Sequence, residues 1–123
     1  MANPFVHVEL ETHQLARAKD FYVKLFDWKL QDLPAPDGEA GYTLIEVGDG
    51  TGGGMIASRD ANAPARWLAY VGVDDIDAST RRARELGATI LQEVMEVGDY
   101  GWMSVIADPT GAVLAMWQAK PGA

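Results

Sequence analysis

The chain repeats itself, and no other feature constrains its fold as tightly. One stretch, HVELETHQLARAKDFYVKLFDWKL, opens at His7; a second, LAYVGVDDIDASTRRARELGATIL, opens at Leu68. Each runs from an extended segment through a polar cap into a stretch of helical period. Leu15, Ala18, Tyr22 and Leu25 fall at i, i+3, i+7 and i+10, and Ile76, Ser79, Ala83 and Leu86 repeat that spacing 61 positions later. Such spacing draws one apolar stripe along a helix. It predicts helices over about 14–26 and 75–86. Asp74 and Asp75 are N-cap candidates for the second, and Gly87 is a natural stop.

The repeat continues past the helices. WKLQDL and ATILQEV read as short strands, and GYTLIEVGDGTGGGMIA then lies against GWMSVIADPTGAVLAMW. Aligning Tyr42 with Trp102, and Asp49-Gly50-Thr51-Gly52 with Asp108-Pro109-Thr110-Gly111, shortens the offset to about 60 and then 59. DPTG has Asp, Pro and Gly where a β-turn wants them, so DGTG should be a hairpin turn too. This matters because Gly48, Gly50 and Gly53 also fit G-x-G-x-x-G. A dinucleotide site needs a helix straight after those glycines. The residues after them are MIASRDANAPARW, without helical period and with Pro64. Gly53 and Gly54 then fall in the next strand, where a missing side chain lets something approach or lets the sheet bend.

Each half therefore reads strand–helix–strand–strand–strand. Module one covers about 4–59 and module two about 66–119, with a polar, proline-containing linker at about 58–66. A half of about 60 residues is marginal alone, so the whole chain, 1–123, is expected to form one α+β domain. It has two tandem βαβββ modules with mixed sheets and the helices outside.

Composition removes several functions. There is no cysteine, hence no disulfide framework, thiolate metal site or cysteine nucleophile. A net charge of −8 leaves no basic face for nucleic acid. No apolar run approaches a membrane span, and MANPFVHVEL has neither the basic nor the apolar region of a signal peptide. The expectation is a soluble, cytoplasmic chain.

Taken together, HVELETHQLARAKDFYVKLFDW, YVGVDDIDASTRRARELGA and ADPTGAVLAMWQ resemble the vicinal oxygen chelate superfamily. That group includes glyoxalase I, extradiol dioxygenases, fosfomycin-resistance enzymes and bleomycin-binding proteins. The resemblance covers nearly the whole chain and implies curved sheets around a cleft, and commonly a homodimer. It also implies four metal-ligand positions, two in each module. These fall on His7, Ile56, Leu68 and Ala115. Only His7 can coordinate, and a closed-shell divalent ion wants at least three protein ligands. No metal or other cofactor is therefore expected.

Strand alternation puts His7 and Glu9 on one face, toward the cleft, with Val6, Val8 and Leu10 toward the helix. The corresponding side in the second half takes Leu68, Tyr70 and Gly72, and the last strand offers Val113, Ala115 and Trp117. Tyr42 and Trp102 would start equivalent strands near the rim. The expected ligand-binding residues are His7, Glu9, Tyr70, Trp102, Ala115 and Trp117, a mostly apolar wall with two polar anchors. Trp28 and Trp67 read as core or subunit-interface residues. Any catalysis falls to His7 and Glu9 as an acid–base pair.

The leading reading is a metal-independent protein that binds a small organic ligand, either sequestering it or acting as a metal-free lyase or isomerase. One alternative is a metal-dependent glyoxalase-type lyase or dioxygenase-like enzyme, with a divalent ion recruited by His7 and Glu9. Another is an interaction domain with a vestigial pocket.

Overall fold

The computed structural model of the protein describes residues 2–33, 41–58 and 60–122. The elements are β1 (Phe5–Thr12), α1 (Leu15–Leu25), β2 (Lys29–Leu33), β3 (Tyr42–Glu46), β4 (Gly53–Ala57), β5 (Arg66–Gly72), α2 (Ile76–Glu85), β6 (Thr89–Val97), β7 (Gly101–Ala107) and β8 (Val113–Ala119). This is βαβββ twice over, an α+β fold. The chain forms two compact units, His7–Leu68 and Met1–Val6 with Ala69–Ala123.

In the His7–Leu68 unit the strands run β2-β3-β4-β1. The β2–β3 and β3–β4 pairs are antiparallel, and β4 pairs with β1 in parallel. One face of this sheet carries Leu10, Ile45 and the fully buried Met55, covered by Leu15, Ala18 and Tyr22 of α1 and by Trp28. In the other unit the order is β5-β8-β7-β6. There Val73, Ile76, Ile106 and Met116 form the core, joined by Ala83, Ile90, Trp102 and Leu114.

Pairing in both units keeps one offset. Leu10 pairs with Met55 and Thr43 with Met55 in one; Val71 pairs with Met116 and Ser104 with Met116 in the other. Every member of the second set lies 61 positions after its counterpart. The shortened offsets read from the turns are therefore corrected: the hairpin loops differ in sequence alignment, but the strands stay in step.

The helix stripes hold except at their ends. Leu25 and Leu86 are both exposed, where the spacing placed them on the buried face. Ten residues at 3.6 per turn bring a side chain about 80° away from the start of the stripe, so both roll off its edge. Thr80, at i+4 from Ile76 and so about 40° to its other side, is buried instead. Its hydroxyl donates to the Ile76 carbonyl at 2.7 Å and lies 2.9 Å from Ser104 Oγ, so no polar atom is stranded there. Asp75 caps α2, accepting from Ala78 N–H at 3.1 Å, and Gly87 follows its end at φ +102°.

Of Val6, Val8 and Leu10, only Leu10 enters the helix-covered core; Val6 is exposed. Gly48 and Gly50, at φ +97° and +93°, turn the chain between antiparallel β3 and β4. The glycine motif is a hairpin. In the matching turn, Asp108 accepts from Thr110 N–H, Thr110 Oγ1 and Ala112 N–H. These bonds, led by that from the Thr110 hydroxyl, hold its carboxyl below the ordinary range.

Candidate functional site

Alternate residues of a strand project to one side, so His7, Glu9 and Glu11 share the face of β1 opposite Leu10. Register extends that face across the sheet. Glu9 pairs with Gly54 of β4, and Gly54 with Leu44 of β3. Tyr42, two residues before Leu44, projects the same way. Its phenol oxygen lies 2.5 Å from His7 Nε2, and the two rings stack with centroids 6.0 Å apart and planes at 28°. Burial pushes the His7 imidazole below its ordinary pKa, because a charged ring loses hydration there. Near neutral pH the ring is therefore neutral, with one nitrogen donating and one accepting.

Glu9 is buried on this face. Further along β1, Glu11 accepts from Arg66 Nε at 2.7 Å, in a half-buried ion pair. The remaining histidine, His13, and Glu46 of β3 are exposed; His13 Nε2 lies 3.1 Å from the Ala63 carbonyl oxygen, steadying the linker.

In the second unit, Tyr70 pairs with Ala115 and Gly72 with Trp117, so the three expected binding residues Tyr70, Ala115 and Trp117 do share a face. Met103 pairs with Trp117 and joins them. The Tyr70 and Trp117 rings meet edge-on at 6.4 Å, and Tyr70 Oη lies 3.9 Å from Met103 Sδ. Trp102 belongs elsewhere. It neighbours Met103 in sequence and so points to the opposite side, where it packs on the Val73–Ile76–Ile106–Met116 core with Lys120 Nζ 5.2 Å from its ring centre. The expectation that Trp102 lines the binding face is corrected. It came from aligning Trp102 with Tyr42, and a one-residue slip moves a side chain to the other face of a sheet. Under the 61-residue offset of the strands the counterpart of Tyr42 is Met103.

The same correction applies to the metal positions. By register the counterpart of Ala115 is Gly54, not Ile56. Neither can coordinate, and neither can Leu68 or Ala115. Among the described residues no group of three or more His, Cys, Asp or Glu side chains could hold an ion.

Trp28 packs against the α1 core, as expected. Trp67 is more exposed, with its indole edge-on to Tyr22 at 5.5 Å. Sequence reasoning missed the partner of His7. It placed Tyr42 near the rim, but only the register of β1 on β4 and β4 on β3 brings that ring onto the His7 face.

These paired βαβββ modules define a class, and the sequence comparison gives its name. The chain belongs to the Glyoxalase/Bleomycin resistance protein/Dioxygenase superfamily, which it matches over residues 5–116. It is 36% identical over 117 residues to CFP32 of Mycobacterium tuberculosis, provisionally named a glyoxylase, covering 92% of this chain and 44% of that protein. It is 31% identical over 125 residues to the anthracycline biosynthesis protein DnrV of Streptomyces peucetius, covering 89% and 45%. The chain thus spans less than half the length of these relatives. Among solved structures it resembles the hypothetical protein BH1468 of Bacillus halodurans, with a TM-score of 0.74 at 14% identity, covering 100% of this chain and 99% of that one. It also resembles methylmalonyl-CoA epimerase of Mycobacterium tuberculosis, with a TM-score of 0.70 at 19% identity, covering 95% and 88%. These structural likenesses are likenesses of fold. Among the described residues no helix is long and apolar enough to cross a membrane.

Proposed function

We propose that this protein binds a small organic ligand on the His7 face and moves a proton on it without a metal ion. The observation that carries this reading is the His7–Tyr42 pair, at 2.5 Å, with the imidazole held neutral by burial. A neutral imidazole near a carbon acid is a base. A phenol in hydrogen-bond contact fixes the ring's orientation and shares its proton. The step suited to such a pair is removal of a proton from a carbon beside a carbonyl, followed by its return. The C–H bond breaks, its electron pair moves into the carbonyl as an enolate, and reprotonation at carbon completes an isomerisation with no net change of atoms. Glu9, on the same face, is the second polar anchor.

The names of the relatives and structural neighbours guide the choice of probes. Chelator-treated protein is incubated in D2O with methylmalonyl-thioester analogues, and deuterium at the α-carbon is followed by NMR. Exchange above the uncatalysed rate, lost in His7→Ala, supports the reading. Saturable binding of a probe without exchange supports sequestration instead, and exchange only after adding zinc or nickel supports a recruited metal. We further expect the chain to pair with a second copy of itself. Sedimentation at micromolar concentration that shows only the 13.3 kDa species contradicts this.

A further inference from the structure

We propose that Gly54 is a positioning residue for the His7–Tyr42 pair. This rests on reading that pair as the acid–base unit. In the His7–Leu68 unit β4 lies between β3, which carries Tyr42, and β1, which carries His7. Two strand spacings separate the outer backbones, about 9–10 Å. A tyrosine reaches that far only by lying across the middle strand, and Gly54 is the residue beneath it. A Cβ at Gly54 would sit 1.9 Å from Tyr42 Oη, 2.1 Å from Cζ and 2.3 Å from Cε2. No real contact is that short, so any other residue here pushes the phenol off the imidazole.

Two comparisons separate this role from ordinary reasons for a glycine. Gly54 is not among the positive-φ glycines, so the backbone there accepts an L side chain; the requirement is space alone. Its neighbour Gly53 is different: a Cβ there meets the Val8 carbonyl oxygen at 2.1 Å, a backbone clash that the strand pairing itself forbids. The repeat supplies a natural control. At the positions 61 further on, His7, Tyr42 and Gly54 become Leu68, Met103 and Ala115. Where no histidine–tyrosine pair is built, the strand carries a Cβ, fully buried at Ala115.

The test is a double-mutant cycle read by NMR titration of the His7 ring, with α-proton exchange as a second readout. Gly54→Ala should move the His7 midpoint to the value found in Tyr42→Ala, and should reduce exchange by the same factor. In the Tyr42→Ala background, Gly54→Ala should change neither. If Gly54→Ala alone does not fold, the double variant decides: recovery of the fold on removing the ring supports the proposal, and failure to recover overturns it. A Gly54→Ala protein that keeps the wild-type His7 titration also overturns it, as does one that shifts His7 equally with and without Tyr42. The titration is independent of turnover, so coupling between Gly54, Tyr42 and His7 in a protein without exchange activity sinks the catalytic reading and leaves the positioning role standing.

Discussion

Trp102→Ala is the sharpest test of which side of the second unit's sheet is core. The indole packs against Val73, Ile76, Ile106 and Met116, with Lys120 Nζ 5.2 Å from the ring centre. A tryptophan buries roughly 150–250 Å² when fully enclosed; for this partly exposed one, about 120 Å² is reasonable. At about 25 cal/mol per Å² that is about 3 kcal/mol. The cation above the ring adds about 0.5 kcal/mol at an exposed site, and the cavity left behind adds to this only as far as the site fails to collapse. A loss of about 3 kcal/mol lowers the folded-to-unfolded ratio more than a hundredfold, and with an m-value of about 1.5 kcal/mol per molar it shifts the urea midpoint by about 2 M. The assay is urea unfolding followed by far-UV circular dichroism, which does not depend on the deleted fluorophore. Probe binding should survive below the transition. A Trp102→Ala protein of unchanged midpoint that has lost probe binding refutes the reasoning and returns Trp102 to the ligand face.

Met55→Ala, at a fully buried position in the core of the His7–Leu68 unit, should cost about 2–5 kcal/mol by the same measurement. Asp75→Ala removes the bond to Ala78 N–H and should cost about 1 kcal/mol; Asp75→Asn should restore most of it. Stability should also depend on pH, through His7 and Asp108 among other groups. His7 has its folded pKa lowered by burial, so the unfolded chain takes up that proton first. Its contribution is complete above the unfolded histidine value, about 6.5, and is lost as pH falls through the lower folded one. Asp108, lowered chiefly by its bond from Thr110, acts likewise at more acid pH: its contribution is present above the unfolded carboxylate value and lost as pH falls through the folded one. His7→Gln should flatten the first of these two declines and leave the second.

Much of the fold is written in the spacing of apolar residues. The repeat, both helices, the capping Asp75 and the two glycine-bearing hairpins are all readable because each depends on neighbours within a few residues. The site is less legible because it depends on register between strands distant in sequence. His7 and Glu9 share a face by simple alternation, and Tyr70 and Ala115 obey the same rule. Tyr42 and Trp102 fall on opposite faces, yet aligning the unlike turns DGTG and DPTG makes them equivalent, and a slip of one residue is enough for that. Gly54 is ambiguous in sequence, since glycine serves a bend, a bulge or a close approach equally well. Only the position of the Tyr42 ring separates those uses.

The central claim is that His7 is a neutral base held by Tyr42. Its most direct test is a ¹⁵N NMR titration of the His7 imidazole in the intact protein, alongside Tyr42→Phe. The account predicts that His7 titrates below the ordinary histidine value of about 6.5, that Nε2 carries the signature of a strong hydrogen bond, and that this signature disappears in Tyr42→Phe. A His7 ring that titrates near its ordinary value, with Nε2 unchanged by the loss of the Tyr42 hydroxyl, contradicts it.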